Sequence, residues 1–181
     1  MRAIFLDRDG VINRYPGDKK YVTSWKEFRF LPKVKKAIAR LNKKKFKIFI
    51  VSNQAGVGKG IFSQKTLDLI TRNMLREIEE ASGQIHGIYY CTHHPDQDCA
   101  CRKPKAGSIH RAKERYPLKM DYSFFIGDTI RDVYTAKAAG CKSILVLSGK
   151  EKLSNKRNWE EQPDFIFRNL YEAAEFILKQ K

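Results

Sequence analysis

Hydrophobic and polar positions follow two alternating patterns along this chain. Short runs of consecutive apolar residues are typical of buried strands, and apolar residues spaced three or four apart are typical of helices. The runs predict strands over 3–6, 46–51, 85–90, 122–128, 143–147 and 164–167. The spaced positions predict helices over 32–41, 63–83, 105–116, 132–140 and 170–178. Alternation of strand and helix indicates an α/β fold with a parallel sheet, and 181 residues are enough to bury that sheet between two helical layers.

The first expected strand ends in two carboxylates, Asp7 and Asp9, directly before Gly10. Ligands of open α/β sheets bind just beyond the carboxyl ends of the strands, so both acids are expected at the bottom of a crevice. Two acids so close repel each other unless a cation or a shared proton intervenes. Mg²⁺ suits this position because it prefers oxygen ligands. An ordinary turn rich in Asp and Gly is the alternative interpretation of this stretch.

Two other strand ends carry polar residues of a similar kind. Ser52, Asn53 and Gln54 precede a glycine-rich segment, and their side-chain and backbone donors suit a phosphate. That segment lacks the glycine and lysine spacing of a P-loop. Asp128 ends the fourth strand and could complete the oxygen ligands of a Mg²⁺. Asp132, four residues later, could orient that ion or bind it through water.

Three of the four cysteines cluster in a segment of about 91–101. Cys91, Cys99 and Cys101, with either His93 or His94, have the composition of a closed tetrahedral zinc site. Such a site leaves no position for water, so the zinc would be structural. A packing role for the three cysteines is the alternative, but in a cytosolic chain this cluster indicates metal before disulfides.

Cations follow the cysteine cluster directly, as Arg102, Lys103 and Lys105. Cations held at the end of a rigid loop could offset the charge on the oxygens of a phosphoryl group. From the residues alone, Lys103 and Lys105 are equal candidates for that contact. Ordinary surface charge is the competing explanation.

The composition is strongly basic, with 36 Lys and Arg against 20 Asp and Glu and a net charge of +16. This balance favours anionic partners, although most lysines fall on helix faces that are expected to be solvated. The sequence has neither a signal-peptide pattern nor an apolar run of membrane-spanning length. A cytoplasmic protein without a membrane partner is therefore expected. Aromatic and basic residues do not interleave on one strand face, so no nucleic-acid partner is expected.

Taken in chain order, the strand ends resemble the four motifs of the haloacid dehalogenase superfamily of phosphatases. The motifs are Asp7-x-Asp9-Gly10-Val11, Ser52-Asn53-Gln54, Arg102-Lys103-Pro104 and Gly127-Asp128-x-x-x-Asp132. The cysteine segment is similar to that of the zinc-loop branch, which contains heptose bisphosphate and histidinol-phosphate phosphatases. Stretches 56–62, 87–95 and 148–150 look more like the heptose enzymes. The resemblance implies a single domain over 1–181 with a three-layer Rossmann-like sheet, helices on both faces, no large cap domain and a small zinc-pinned loop.

The same resemblance implies a role for each motif residue. Asp7 would be the nucleophile that forms an aspartyl-phosphate, and Asp9 would be the general acid and base. Ser52 and Lys103 would hold the phosphate oxygens. The remaining implied sets are as follows: substrate contacts from Asn53, Gln54 and Arg102; Mg²⁺ ligands from Asp7, Asp9 through its backbone carbonyl, and Asp128; Zn²⁺ ligands from Cys91, His93, Cys99 and Cys101.

The implied activity is Mg²⁺-dependent hydrolysis of a phosphomonoester by a monomeric enzyme. The expected substrate is a small phosphorylated sugar, D-glycero-D-manno-heptose 1,7-bisphosphate, which would lose one phosphate. Histidinol phosphate or a nucleic acid 3′-phosphate are alternative substrates, and a zinc-stabilised nucleic-acid-binding module is the non-enzymatic alternative. Two features depart from the heptose pattern: the loop over 15–21 is longer, and Thr129 stands where a lysine is common.

Overall fold

The computed structural model describes residues 1–180, so Lys181 lies outside the described residues. Its centre is a parallel six-stranded sheet in the order β3-β2-β1-β4-β5-β6. The strands are β1 Ala3–Leu6, β2 Lys47–Asn53, β3 Gly87–Cys91, β4 Phe124–Gly127, β5 Lys142–Val146 and β6 Phe165–Phe167. The chain order reverses direction across the sheet at β1, and a crevice forms at the carboxyl ends beside such a switch point.

Six α-helices connect and flank these strands. They are α1 Val34–Lys43, α2 Ala55–Gly58, α3 Gln64–Glu80, α4 Gly107–Arg115, α5 Ile130–Ala138 and α6 Leu170–Lys179. Short 3₁₀ helices cover Met120–Tyr122 and Leu153–Asn158. Ser63 caps α3 as its sequence predicts, since its hydroxyl accepts a hydrogen bond from the Thr66 N–H at 3.1 Å.

The strand β1 shows how the core is divided between the two faces of the sheet. Ile4 and Leu6 pack with α1, α3 and α6, whereas Ala3 and Phe5 pack on the opposite face with α4 and α5. All four side chains are fully buried. Burial on both faces explains why this strand is a continuous apolar run rather than an alternating one. The predicted three-layer α/β fold is confirmed.

The fourth strand is shorter than the apolar run predicts. Tyr122 belongs to a 3₁₀ helix and is exposed, and β4 begins only at Phe124, opposite Ile4. Ser123 ends the turn between them: its hydroxyl accepts from the Ala3 N–H at 3.0 Å and donates to the Lys119 carbonyl at 2.7 Å. A buried hydroxyl satisfied in this way fixes where the ladder starts.

Two other boundaries differ for reasons of pairing and turn chemistry. The third strand begins at Gly87 instead of 85, because its pairing with β2 starts at Phe49 and Gly87. The segment after Gln54 forms the short helix α2, although its glycines predict a loop. Within residues 1–180 no helix is both long and apolar enough to cross a bilayer.

Candidate active site

A cleft of about 210 Å³ opens at the carboxyl ends of the central strands. β1 leads into Asp7, β2 ends in Ser52 and Asn53, and β4 leads into Asp128. A hydrogen bond of 3.0 Å from the Asp7 N–H to the Ile126 carbonyl continues the sheet ladder to this point. The cleft is lined by these four residues together with Asp9, Lys103 and the segment after the first strand. The structure therefore brings together polar residues from separate parts of the sequence.

A buried cation lies among the acids of the cleft. The Lys103 Nζ is 2.9 Å from Asp7 Oδ2 and 2.6 Å from Asp132 Oδ1. Carboxylate oxygens of Asp7, Asp128 and Asp132 all lie within 4.8 Å of one another. Burial disfavours the charged form of Lys103, but the two carboxylates overcome that effect and raise its pKa. Lys103 is consequently a fixed positive charge against Asp7.

The cluster of acids remains short of positive charge even with Lys103 in place. Burial raises the pKa of Asp7, and the charge of Asp132 adds to that rise. Burial also raises the pKa of Asp128, and the negative charges of Asp7 and Asp132 raise it further. A divalent cation between the Asp7 and Asp128 oxygens would reverse these shifts, because it stabilises both carboxylates. The donor set, oxygen only and close together, fits Mg²⁺.

Asp128 is held in place by backbone groups that approach it closely. The Lys150 N–H donates to Asp128 Oδ2 at 2.8 Å. A Cβ atom at Gly10 would lie 2.2 Å from this oxygen, and one at Gly149 would lie 2.0 Å from it. Gly10 also has a φ of 86°, a conformation that favours glycine. These contacts fix one carboxylate of the cluster without using other side chains.

Asp9 has a hydrogen-bond network of its own. Its carboxylate accepts from the Arg8 guanidinium at 3.0 Å, from Asn13 Nδ2 at 2.8 Å and from Gln54 Nε2 at 2.9 Å. Burial opposes ionisation of Asp9, but Arg8 and the two amides hold its pKa below the usual value. The Asp9 carboxylate is therefore held by three donors at the edge of the cleft.

The end of β2 and Gln54, which follows it, form hydrogen bonds with other groups of the site. Asn53 Nδ2 donates to the Lys103 carbonyl at 3.1 Å, and Asn53 Oδ1 accepts from the Lys103 N–H at 3.1 Å. Gln54 donates to Ser52 Oγ at 3.2 Å as well as to Asp9. Arg102, predicted to contact substrate, is not among the residues that line the cleft. The sequence did not reveal that the Asn53 amide would be used to hold the Lys103 backbone.

The cysteine segment converges on a common centre beside this cleft. The Cys91 Sγ is 3.5 Å from Cys99 Sγ and 3.7 Å from His93 Nδ1, and the Cys101 Sγ is 3.2 Å from the same nitrogen. Tetrahedral zinc with about 2.3 Å bonds to sulfur requires separations of about 3.8 Å between thiolates. The four donors therefore fit Zn²⁺. His94 instead contacts Asp96 at 3.3 Å, which separates the two histidines that the spacing left open.

The comparisons with known proteins agree with this geometry. A sequence model of a family described as HAD-hydrolase-like matches residues 100–173. The D-glycero-beta-D-manno-heptose-1,7-bisphosphate 7-phosphatases of Neisseria meningitidis serogroup A and of Escherichia coli K12 are 32% and 33% identical to this chain. These alignments cover 99% of this chain, with 96% and 95% of the respective relatives.

A solved structure gives the same result. The D,D-heptose 1,7-bisphosphate phosphatase of B. bronchiseptica, complexed with magnesium and phosphate, superposes with a TM-score of 0.89 at 33% identity and full coverage of both chains. This chain belongs to the haloacid dehalogenase superfamily, in the heptose-1,7-bisphosphate 7-phosphatase family. The predicted family is therefore confirmed.

Two segments of the chain meet on the rim of the cleft. Tyr15 donates to Asp18 Oδ1 at 2.6 Å, and the Lys150 Nζ is 2.9 Å from the same oxygen. This contact connects the long loop over 15–21 with the segment after β5. Thr129 carries no charge and instead caps α5, because its N–H and hydroxyl both donate to Asp132 Oδ2, at 3.0 and 2.7 Å. Neither Lys150 nor the loop over 15–21 belongs to the four motifs.

In this chain Asp132 pairs with the buried Lys103 and also caps α5 through Thr129. Its replacement should therefore destabilise the fold. We expect Asp132→Asn to lower the free energy of unfolding by about 3 kcal/mol, since this one change both removes a buried carboxylate from Lys103 and weakens the α5 cap that Asp132 forms with Thr129. Urea unfolding followed by circular dichroism measures this change. The exposed Asp68→Asn is the control. Equal stability of both variants would contradict the structural importance of this ion pair.

Proposed function

We propose that this chain is a Mg²⁺-dependent phosphatase that removes the 7-phosphate of D-glycero-β-D-manno-heptose 1,7-bisphosphate. The observation that carries the proposal is the position of Asp7, which lies against Lys103 and close to Asp128. The comparison supports it, because the chain is 33% identical over its full length to a heptose bisphosphate phosphatase solved with magnesium and phosphate. The relatives and neighbours above do not favour histidinol phosphate, a nucleic acid 3′-phosphate or a non-enzymatic role. A monomeric state and a cytoplasmic location stay predictions.

Asp7 is the proposed nucleophile. One of its carboxylate oxygens forms a bond to phosphorus while the bond from phosphorus to the sugar oxygen breaks, which gives an aspartyl-phosphate. Asp7 Oδ1 accepts from the Arg8 N–H at 2.7 Å, and Oδ2 contacts the Lys103 Nζ. Both contacts orient the carboxylate, and Lys103 offsets negative charge on the transferring phosphoryl group together with the hydroxyl of Ser52.

Asp9 is the proposed general acid and base. It gives a proton to the leaving sugar oxygen, and later takes a proton from the water that attacks the aspartyl-phosphate and releases inorganic phosphate. In the structure burial disfavours the ionised form of Asp9, but the charge of Arg8 and the hydrogen bonds from Asn13 and Gln54 outweigh burial and lower the pKa of this carboxyl. A phosphate dianion placed beside Asp9 raises the pKa of this carboxyl, because like charges disfavour the ionised form. Substrate binding would in this way supply the protonated acid.

The two metals have separate proposed tasks. Mg²⁺, held by the Asp7 and Asp128 carboxylates and the Asp9 carbonyl, would supply positive charge that reduces the repulsion between Asp7 and the phosphate. Zn²⁺, held by Cys91, His93, Cys99 and Cys101, would pin the loop that continues into Lys103. Asn53 holds the Lys103 backbone from the other side. Lys103 would then be fixed by a metal-bound loop and by the end of β2.

A comparison of substrates at two salt concentrations tests the proposal. Heptose 1,7-bisphosphate should give a higher kcat/KM than histidinol phosphate or a 3′-phosphorylated oligonucleotide, with activity lost in EDTA. Its kcat/KM should depend weakly on salt, whereas an oligonucleotide that contacts several cations would show a steep dependence. A higher kcat/KM for either alternative substrate would contradict the substrate assignment and leave the phosphatase reaction standing.

A further inference from the structure

Three basic side chains line the cleft without a partner of opposite charge. Lys19, Lys20 and Arg131 border the same space as Asp7. Among residues 1–180, the ion pairs of the cleft use only Arg8, Lys103 and Lys150. With Lys103 and Lys150, these three side chains outnumber the carboxylates that line the cleft, which are Asp7, Asp9, Asp18 and Asp128, and an excess of cations favours an anionic ligand.

Arg131 is the best placed of the three. It is the second residue of α5, a nine-residue helix whose first N–H groups have no carbonyl partner within the helix. Its neighbour Asp132 does not neutralise it, because that carboxylate turns inward to Lys103 and Thr129. The guanidinium therefore adds a full positive charge to the positive end of the helix.

Arg131 also borders a second space. A groove of about 600 Å³ between α5 and the segment over 151–160 is lined by Arg131, Tyr134 and Trp159. Two acids also line that groove, and their carboxylates accept from neutral donors: Glu151 from the Trp159 indole at 3.0 Å and Glu160 from the Tyr134 hydroxyl at 2.7 Å. Among residues 1–180, neither forms an ion pair with Arg131. Arg131 thus stands where the cleft opens outward, away from the buried Lys103.

The loop over 15–21 brings the other two charges to the same cleft. Its one acid, Asp18, pairs with the Lys150 Nζ at 2.9 Å. This leaves Lys19 and Lys20 as uncompensated charge on the rim. Lys103, by contrast, is surrounded by Asp7 and Asp132 at the floor. The cleft consequently has one group of cations for a reacting phosphate and a separate group nearer to solvent.

We propose that Arg131, assisted by Lys19 and Lys20, binds the phosphate of the sugar bisphosphate that is not cleaved. This inference rests on the proposed function and adds the residues that select a bisphosphate over a monophosphate. A guanidinium can hold two oxygens of a phosphate at once, which fixes orientation as well as affinity. Binding of the distal phosphate would place the reacting end against Asp7 and so increase turnover.

Replacement of Arg131 should lower kcat/KM for a substrate that has the second phosphate much more than for one that lacks it. For Arg131→Gln we expect kcat/KM for heptose 1,7-bisphosphate to fall by about 10- to 100-fold, the range for losing a hydrogen bond between charged groups. With heptose 7-phosphate, kcat/KM should change by less than about threefold, since no phosphate reaches Arg131. Arg72→Gln removes the same charge from an exposed face of α3 and is the matched control.

Product inhibition examines the two phosphate positions separately. For Arg131→Gln, the inhibition constant of heptose 1-phosphate should rise about tenfold or more, whereas that of inorganic phosphate should stay within about twofold. The double variant Lys19→Gln/Lys20→Gln should show the same selective pattern to a smaller degree. It keeps the inference testable if Arg131→Gln lowers the thermal midpoint.

The outcomes distinguish this inference from the function on which it rests. Equal losses on bisphosphate and monophosphate, or no loss on either, would overturn the role of Arg131 while the phosphatase assignment stands. Hydrolysis of p-nitrophenyl phosphate monitors the reaction centre independently of any sugar, and Arg131→Gln should lower it far less than it lowers hydrolysis of the bisphosphate. If the wild type hydrolyses p-nitrophenyl phosphate but not the heptose bisphosphate, the proposed substrate fails and this inference fails with it.

Discussion

Asp7→Asn should abolish turnover of heptose 1,7-bisphosphate while the protein remains folded. An amide oxygen is too weak a nucleophile to form the aspartyl-phosphate, and loss of a nucleophile typically lowers kcat by on the order of 10³-fold or more. The fold should tolerate the change, because Asp132 still pairs with Lys103 after it, and because burial and the charge of Asp132 already disfavour the ionised form of Asp7 and raise its pKa. Removing one negative charge there relieves repulsion.

Phosphate release and thermal unfolding measured on the same preparation check this expectation. Asp121→Asn, an exposed change of the same kind in the 3₁₀ helix before β4, is the control and should keep full activity. An Asp7→Asn protein that retained activity within about tenfold of wild type would exclude Asp7 as the nucleophile. An unfolded variant would show instead that the carboxylate is needed by the fold, contrary to its raised pKa.

The second large effect concerns the cysteine segment. Purified protein should carry about one zinc per chain, and Cys99→Ser should lose it, because three ligands hold zinc far less tightly than four. A loss of about 3 kcal/mol in stability would lower the thermal midpoint by about 6–12 °C for a chain of this size. Activity should fall as well, since the loop continues through Cys101 into Lys103.

Metal analysis, thermal unfolding and the phosphatase assay together test this prediction. Cys141→Ser is the matched control: Cys141 is buried apart from the cluster, with its thiol donating to the Ala136 carbonyl at 3.4 Å, so zinc content should not change. Zinc-free protein with full activity and an unchanged thermal midpoint would contradict the structural role of the metal. Mg²⁺ should be required in all of these variants, since its proposed ligands are separate.

The architecture could be predicted because its signals are local and repeated. Continuous apolar runs identified the central strands, and the alternating helices implied a parallel sheet, which the structure confirms. Strand ends were predictable to within two residues. The start of β4 depends on the Ser123 hydroxyl, and no hydrophobic pattern reports a hydrogen bond of this kind.

The sequence predicts the positions of the acids in the candidate site better than it predicts which side chains contact them. Asp7 and Asp128 follow strands directly, so their meeting at one sheet edge follows from topology. The family resemblance favours Lys103 over Lys105 as the phosphate contact. In the structure Lys103 contacts Asp7, whereas Lys105 pairs with the exposed Asp98. Their catalytic roles stay predictions until the variants are measured.

Arg131 was missed because it occupies a variable position of the fourth motif, between Asp128 and Asp132. Its importance appears only when α5, the loop over 15–21 and the end of β4 are seen to share one cleft. The only sequence signal was indirect: Thr129 is uncharged at a position where a lysine is common, and a cation follows two residues later. Whether a cation at position 131 can serve in place of one at position 129 is visible only in three dimensions.

The close packing of Gly10 and Gly149 on Asp128 restricts how this cleft could be re-engineered. A methyl group at either position would overlap the carboxylate, so saturation libraries should return almost no active clones altered there. Lys19, Lys20 and Arg131 are different, since they line the cleft and are exposed. Directed evolution toward sugar phosphates of other lengths should therefore concentrate its diversity on the rim and leave the glycine-enclosed floor untouched.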